Sequence, residues 1–297
     1  MRILLFGRNG QVGWELQRSL APLGELVALD SGSGDGLCGD FRDPEGVART
    51  VRSVRPDAIV NAAAYTAVDR AESEPELAHQ VNAAAPGAIA QAAREVGAAL
   101  VHYSTDYVFD GSGDRPWREE DPTGPLGVYG RTKLEGEDRI RAAQPLHLVL
   151  RTSWVYGARG GNFARTMLRL AREREQLTVV DDQFGAPTGA DLLADVTAHA
   201  LRDLLADPAK AGTYHVAAAG ETTWHGYARF LVGKAQQHGE ILKAGAPQVL
   251  PVPSSAFPTP ARRPHNSRLD TGRFHAVFRL TLPPWEQGVA RLLEEIL

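Results

Sequence analysis

Tyr129 and Lys133 stand four residues apart in VYGRTKLEGEDRIRAA, a stretch that predicts a helix, and on a helix that spacing turns both side chains to one face. A phenol with a pKa of ~10 gives a proton readily to an alkoxide. A neighbouring ammonium favours the phenolate and lowers that value. The pair reads as a tunable general acid or base, with Lys133 setting the acidity of Tyr129 and offering N–H donors to a bound ribose. The same spacing occurs on ordinary surface helices, so context decides. YSTDYVFDG (103–111) follows an apolar run, which places the Ser104 and Thr105 hydroxyls at the carboxyl end of a strand, where open α/β sheets bind ligands. Both are then available to a substrate oxygen.

A second motif lies at the start of the chain. FGRNGQVG sets Gly7, Gly10 and Gly13 in a G-x-x-G-x-x-G spacing after an apolar run and before an amphipathic one. Glycines there permit a tight turn and let a pyrophosphate approach backbone N–H groups at a helix N-terminus. Asp30 ends the next apolar run, twenty residues past Gly10, where a carboxylate accepts from the adenosine ribose. That placement suits NADH. Arg8 beside it offsets a 2′-phosphate and admits NADPH.

The elements that must position these groups alternate along the first half of the chain. RILLF (2–6), ELVALD (25–30), AIVNAA (58–63) and ALVHYS (99–104) are solid aliphatic runs separated by amphipathic stretches, the pattern of parallel strands buried on both faces. LHLVLRTSWVYG supplies another strand. Beyond about residue 157 the pattern loosens into helices such as NFARTMLRLARERE, DLLADVTAHALRDLL and WHGYARFLVGKAQQ, with short strands LTVV and TYHV between them. The fold class is therefore α/β: a Rossmann-like doubly wound parallel sheet over residues 1–157, with a smaller mixed C-terminal substrate region over 158–297 from which some segments return to the first. PVPSSAFPTPARRP (251–264) carries apolar side chains at intervals and reads as ordered coil rather than a flexible linker. Its Arg262 and Arg263 are candidates to clamp a diphosphate.

Composition narrows the function classes. The 297 residues are 43% hydrophobic and 23% charged, with a net charge of −4 spread without blocks, so neither a nucleic-acid footprint nor a basic membrane-binding face is present. MRILLFGRNG has too short an apolar run for a signal h-region or a membrane span. The single cysteine, Cys38, excludes an internal disulfide and a cysteine-based zinc site and fits a cytoplasmic protein. Nine histidines, among them His79, His102 and His147, show no metal-ligand spacing, and none is assigned to catalysis.

GRNGQVG, NAAAYTAVDRAE, YSTDYVFDG, VYGRTKLEGE, RTSWVYG, DQFGAPT and ARRPHNSRLD, in that order over essentially the whole chain, resemble the dTDP-4-dehydrorhamnose reductase family of extended short-chain dehydrogenases/reductases. The resemblance implies reduction of the C4 ketone of dTDP-4-dehydro-β-L-rhamnose with NADPH or NADH, the last step of dTDP-L-rhamnose biosynthesis. It puts the catalytic groups at Thr105, Tyr129 and Lys133. Cofactor contacts fall at Gly10, Gln11, Val12, Asp30, Asp40, Phe41, Ala64, Tyr65 and Thr66, and substrate contacts at Thr105, Asp106 and Trp154, whose indole offers an apolar platform for a deoxysugar. It further implies a homodimer with structural Mg2+ held between carboxylates, here Glu15, Asp191 and Glu295. Two rivals share many of these features. One is a related sugar-nucleotide dehydratase or epimerase: dehydratases of the superfamily follow the threonine with Asp-Glu, but here Asp106 and Tyr107 stand there, and epimerases keep bound NAD through their cycle. A non-catalytic regulatory subunit of the same build does not require the complete Thr105, Tyr129 and Lys133 set.

Overall fold

The run Arg2–Phe6 (β1) is buried from Ile3 to Phe6 because it has a neighbour on each edge: Leu4 pairs with Val27 on one side and Ile59 on the other, both in parallel. A strand covered on both edges and both faces has no solvent side for polar residues, hence the solid aliphatic runs. The computed structural model describes residues 1–32, 34 and 36–297. Around β1 lie β2 (Glu25–Leu29), β3 (Ala58–Asn61), β4 (Ala99–Thr105) and β5 (His147–Thr152). The strand Gly212–His215 closes the far edge, giving six strands in the order Gly212–His215, β5, β4, β3, β1, β2. The order reverses at β1 and β3, which opens a crevice above their carboxyl ends.

Helices cover both faces. On one, Leu16 and Leu20 of α1 (Gln11–Leu20) pack with Leu193, Ala194 and Leu201 of the Ala190–Ala206 helix and with Phe274 and Phe278 of Gly272–Phe278. On the other, Val47 and Val51 of α2 (Pro44–Val54) pack with Ile89 and Ala93 of Ala85–Val96 and Ile140 of Val128–Ala143. A separate core gathers Met167 and Leu168 of Phe163–Glu173, Tyr227 and Leu231 of Trp224–Gln237, Val179 and Val249 of two short paired strands, and Trp285, Val289 and Leu293 of Trp285–Ile296. Three later segments thus rejoin the sheet body: the helix Ala190–Ala206, the strand Gly212–His215 and the helix Gly272–Phe278.

The Val128–Ala143 helix is brought close to the sheet end by a glycine. A Cβ at Gly130 would lie 2.2 Å from the Tyr107 carbonyl oxygen, so only glycine lets the helix seat there. The carboxylate of Glu72 accepts the Val128 N–H at 2.8 Å and satisfies one of the exposed donors of its first turn. Before it, the chain Pro75–His79 widens into a π turn over Gln80–Ala84 and then continues as Ala85–Val96.

Candidate active site

The crevice above β1 and β3 is a cleft of about 410 Å³ lined by Gly7, Gly10, Asp30, Asp40, Phe41, Ala64 and Tyr65, seven of the residues expected to hold a dinucleotide. Gly7 adopts φ +85°, and a Cβ there would meet the Ala63 nitrogen at 2.6 Å, so the loop fits against the strand-end backbone only as glycine. Gln11 and Val12 open α1, whose N-cap Gly10 offers no side-chain acceptor. The free N–H groups at that helix start suit a pyrophosphate. Thr66 lies on the exposed loop just past Tyr65. Asp30 accepts from Arg8 Nε at 2.7 Å, Asn9 Nδ2 at 2.6 Å and the Gly32 N–H at 2.8 Å. The Gly32 N–H first, then Arg8, hold its carboxyl below the usual range. Arg8, expected to offset a 2′-phosphate, is thus bonded to Asp30 itself. Asn9 and Arg42, which pairs with Asp40 at 2.6 Å, also border this cleft, and sequence reasoning singled out neither.

At the end of β4, the Thr105 hydroxyl donates to Asp106 Oδ1 at 3.1 Å and accepts the Tyr107 N–H at 3.2 Å. Tyr129, in the first turn of its helix, packs edge-on against Tyr107 with ring centroids 5.4 Å apart. Its phenol is pushed above the usual value by burial first, and a hydrogen bond with Thr105 opposes that shift. This corrects the expectation that Lys133 lowers the pKa of Tyr129. The Lys133 amine points instead toward β4, donating to the Tyr103 carbonyl at 2.6 Å and lying 3.2 Å from His102 Nε2. Burial brings Lys133 down to about 8, with only Glu137 acting against it. Asp106 is pushed up to about 6, again mainly by burial.

Ser104 does not share the Thr105 position. Alternation along β4 sends it to the helix side, where it acts on Glu137, itself fully buried and bonded to Arg151 at 2.9 and 2.7 Å. Asn82, on the π turn, was also missed: its Oδ1 accepts the Tyr65 N–H at 2.9 Å, and its Nδ2 donates to the Tyr65 carbonyl and to Thr132. It ties the cofactor-side loop to the Tyr129 helix, and a π turn, which sequence pattern does not reveal, is what aims it there.

Beyond Tyr107 opens a second cavity of about 440 Å³, walled by Phe163, Gln183, Trp224 and Phe257, with Arg262 and Arg263 on its lining. Trp224 lines this cavity, and Trp154 is stacked on it at 3.8 Å between ring centroids, held in a left-handed conformation with φ +48°. Arg263 donates to Asp69 at 2.7 Å and also bonds Tyr107.

Glu15, Asp191 and Glu295 line one small cavity with Tyr156 and Gly288, as expected for a shared site. Among the described residues of the single chain, no group of three or more His, Cys, Asp or Glu is placed to hold a metal ion; the expected Mg2+ lies between the carboxylates of two subunits. Arginines meet the carboxylates instead, Arg18 at 3.4 Å from Glu15 and Arg291 at 3.8 Å from Asp191 and 3.3 Å from Glu295. Among the described residues, no helix is long and apolar enough to cross a membrane.

Residues 1–297 match the family model described as RmlD substrate binding domain. The chain is 61% identical over 300 residues to a dTDP-4-dehydrorhamnose reductase of Escherichia coli (strain K12), covering all of this chain and 98% of that one. Among solved structures, a dTDP-4-dehydrorhamnose reductase of Clostridium acetobutylicum superposes with TM-score 0.88 at 34% identity over 99% of both chains. One from Bacillus anthracis, in complex with NADP, superposes with TM-score 0.87 at 34% identity over 99% of both.

Proposed function

Since the chain belongs to the RmlD substrate binding domain family, we propose that it reduces the C4 ketone of dTDP-4-dehydro-β-L-rhamnose to dTDP-L-rhamnose with NADPH or NADH. The observation that carries this reading is the Thr105–Tyr129 pair at the end of β4, together with a cleft that the glycine loop and Asp30 line and a second cavity that Tyr107 and Trp224 line.

Gly7, Gly10, Gln11, Val12, Asp30, Asp40, Phe41, Ala64, Tyr65 and Thr66 would hold the dinucleotide, whose nicotinamide supplies the hydride. Tyr129 donates its proton to the oxygen developing on C4. A phenol kept neutral by burial is in the right state for that at neutral pH. Thr105, held in place by Asp106 and the Tyr107 N–H, hydrogen-bonds the same oxygen. Lys133 stabilises the phenolate left on Tyr129 once it carries a proton. Residues from the 158–297 region bind the nucleotide end: Trp224 and Phe163 offer flat apolar faces to a base, and Arg262 and Arg263 suit a diphosphate. Trp154, stacked on Trp224, offers its indole to the deoxysugar face.

The reading extends to a cytoplasmic home, supported by the single thiol, and to a homodimer through the acid-lined cavity. Its exposed Trp14 neighbour, stacked under Arg159 at 3.4 Å, is the kind of aromatic anchor that interfaces use. Glu15, Asp191 and Glu295 would be the residues to hold a structural Mg2+ between subunits, away from the reacting groups. The direct test follows NADPH absorbance on mixing the protein with the 4-keto sugar nucleotide, with Tyr129→Phe as control. Loss of absorbance in the wild type alone supports the reading. A wild type that binds NADPH and never oxidises it overturns the reading in favour of a binding role.

A further inference from the structure

Asn61 and His102 face each other in the parallel register of β3 and β4, and their hydrogen bonds fix where the protons lie. The Asn61 Oδ1 accepts the Ala63 N–H at 3.0 Å, and its amide nitrogen lies 2.9 Å from His102 Nδ1. Turning the amide over would set its NH2 against the Ala63 N–H, donor to donor. Asn61 therefore donates to Nδ1, which must carry a lone pair. A neutral imidazole has one proton, so that proton is on Nε2. An imidazolium is excluded by the same contact, since it would present N–H to N–H.

Nε2–H is the group that lies 3.2 Å from Lys133 Nζ. It can only donate, and an ammonium has no lone pair to accept. The self-consistent arrangement has Lys133 as an amine that accepts from His102 and donates to the Tyr103 carbonyl at 2.6 Å. Asn61, His102 and Lys133 are 1%, 0% and 2% exposed, so bulk water does not repair a mismatch. The groups facing Lys133 support this state. Among the described residues, those bonded to the amine are His102 and the Tyr103 carbonyl of β4, and Glu137 of its own helix acts on its charge. The Glu137 charge is already met by Arg151 and Arg141, and Asp106 is bonded by Thr105 and acts on Tyr129 rather than on Lys133.

We infer that His102, with its tautomer set by Asn61, is a positioning residue that parks Lys133 as an amine against β4, and that protonation of Lys133 breaks this contact and releases the ammonium toward Tyr129. No bond other than N–H is made or broken: the amine takes one proton, and the hydrogen bond from Nε2–H is lost because both partners then donate. The catalytic consequence rests on the proposed reductase reading. The tautomer and the parked amine do not.

The first measurement is the long-range 15N–1H spectrum of the wild-type protein with 15N-labelled histidine at pH 8.5, with His102 assigned by its loss in His102→Gln. The inference requires a neutral ring protonated at Nε2. A ring protonated at Nδ1, or an imidazolium, overturns it. The second uses Asn61→Asp, which is isosteric and still accepts the Ala63 N–H. Its carboxylate accepts from Nδ1–H, turning the Nε2 lone pair toward Lys133, where it stabilises the ammonium. The spectrum should switch to the Nδ1–H form, and the alkaline limb of kcat/KM should move up by about one pH unit. A folded variant with the wild-type tautomer and the wild-type limb overturns the inference. A protein with no reductase activity but with the Nε2–H ring in the wild type and the switch in Asn61→Asp would retain the Asn61–His102–Lys133 device while losing the reductase assignment.

Discussion

Tyr129 and Lys133 share one helical face but serve different partners: the phenol bonds Thr105, while the amine rests on the Tyr103 carbonyl and His102. Thr105 is therefore the polar group that acts on the phenol directly. Removing its hydroxyl in Thr105→Val should lower kcat by about 10²–10³, the loss typical for one donor to a developing oxyanion. Thr105→Ser should recover most of it. Steady-state kinetics on the two variants check this; equal activity in wild type and Thr105→Val would remove Thr105 from the reaction.

Asp106 carries a carboxyl at about 6, raised first by burial. Its folded pKa exceeds the unfolded one, so its contribution to stability is fully present below pH ~4 and is lost as pH rises through about 6. A shift of about two units corresponds to ~3 kcal/mol at most. Asp106→Asn removes the titration, and denaturant unfolding should show it gaining on the wild type between pH 4.5 and 7.5. A constant difference across that range would mean Asp106 is ionised throughout.

Much of this was legible in the sequence, and the reasons differ by element. The aliphatic runs that became β1 to β5 were readable because two-sided burial leaves no alternation to confuse them. The placement of the glycine loop and of Asp30 was readable because a glycine turn between an aliphatic run and an amphipathic one joins a strand to a helix, and Asp30 directly follows the next aliphatic run. The direction of the Lys133 amine was not. Spacing sets the helix face of a side chain but not which neighbour its terminal nitrogen meets, and that depends on a strand more than twenty residues upstream. His102 was passed over for the same reason: its partners, Asn61 and Lys133, are distant in sequence and meet only through strand register and helix packing. Trp224 escaped because stacking on Trp154 is a tertiary contact between two segments of the second core's surroundings. The helices Gly272–Phe278 and Trp285–Ile296 went unmarked beside the proline-rich coil that precedes them.

The seat of the Tyr129 helix depends on one missing methyl group. In Gly130→Ala the new Cβ would stand 2.2 Å from the Tyr107 carbonyl oxygen, a backbone atom that cannot swing aside. The helix must move, at a cost of about 1–3 kcal/mol, and Tyr129 moves with it. Thermal unfolding should show a lower Tm, and kcat should fall more than tenfold with KM for the cofactor less affected. Gly161→Ala is the control, since nothing lies within 4 Å of a Cβ there. A Gly130→Ala protein as stable and active as that control would mean the close approach is not maintained in solution.

At the cleft expected to hold the cofactor ribose, the Asp30 carboxylate holds Arg8 at 2.7 Å and Asn9 at 2.6 Å. The acid favours a ribose with a free 2′-hydroxyl, which can donate to it, and it occupies the two side chains best suited to a 2′-phosphate. Asp30→Ala removes the acceptor and releases the guanidinium and the amide together. Guanidinium then matches a phosphate well. The ratio of kcat/KM for NADPH over NADH should rise by more than tenfold, mainly through KM for NADH going up. Arg8→Ala should move the ratio the other way, because the acid is left without its cation. An Asp30→Ala ratio equal to that of the wild type would show that the ribose end is read by other residues, with Arg42, bonded to Asp40 at the same cleft, the next side chain to test.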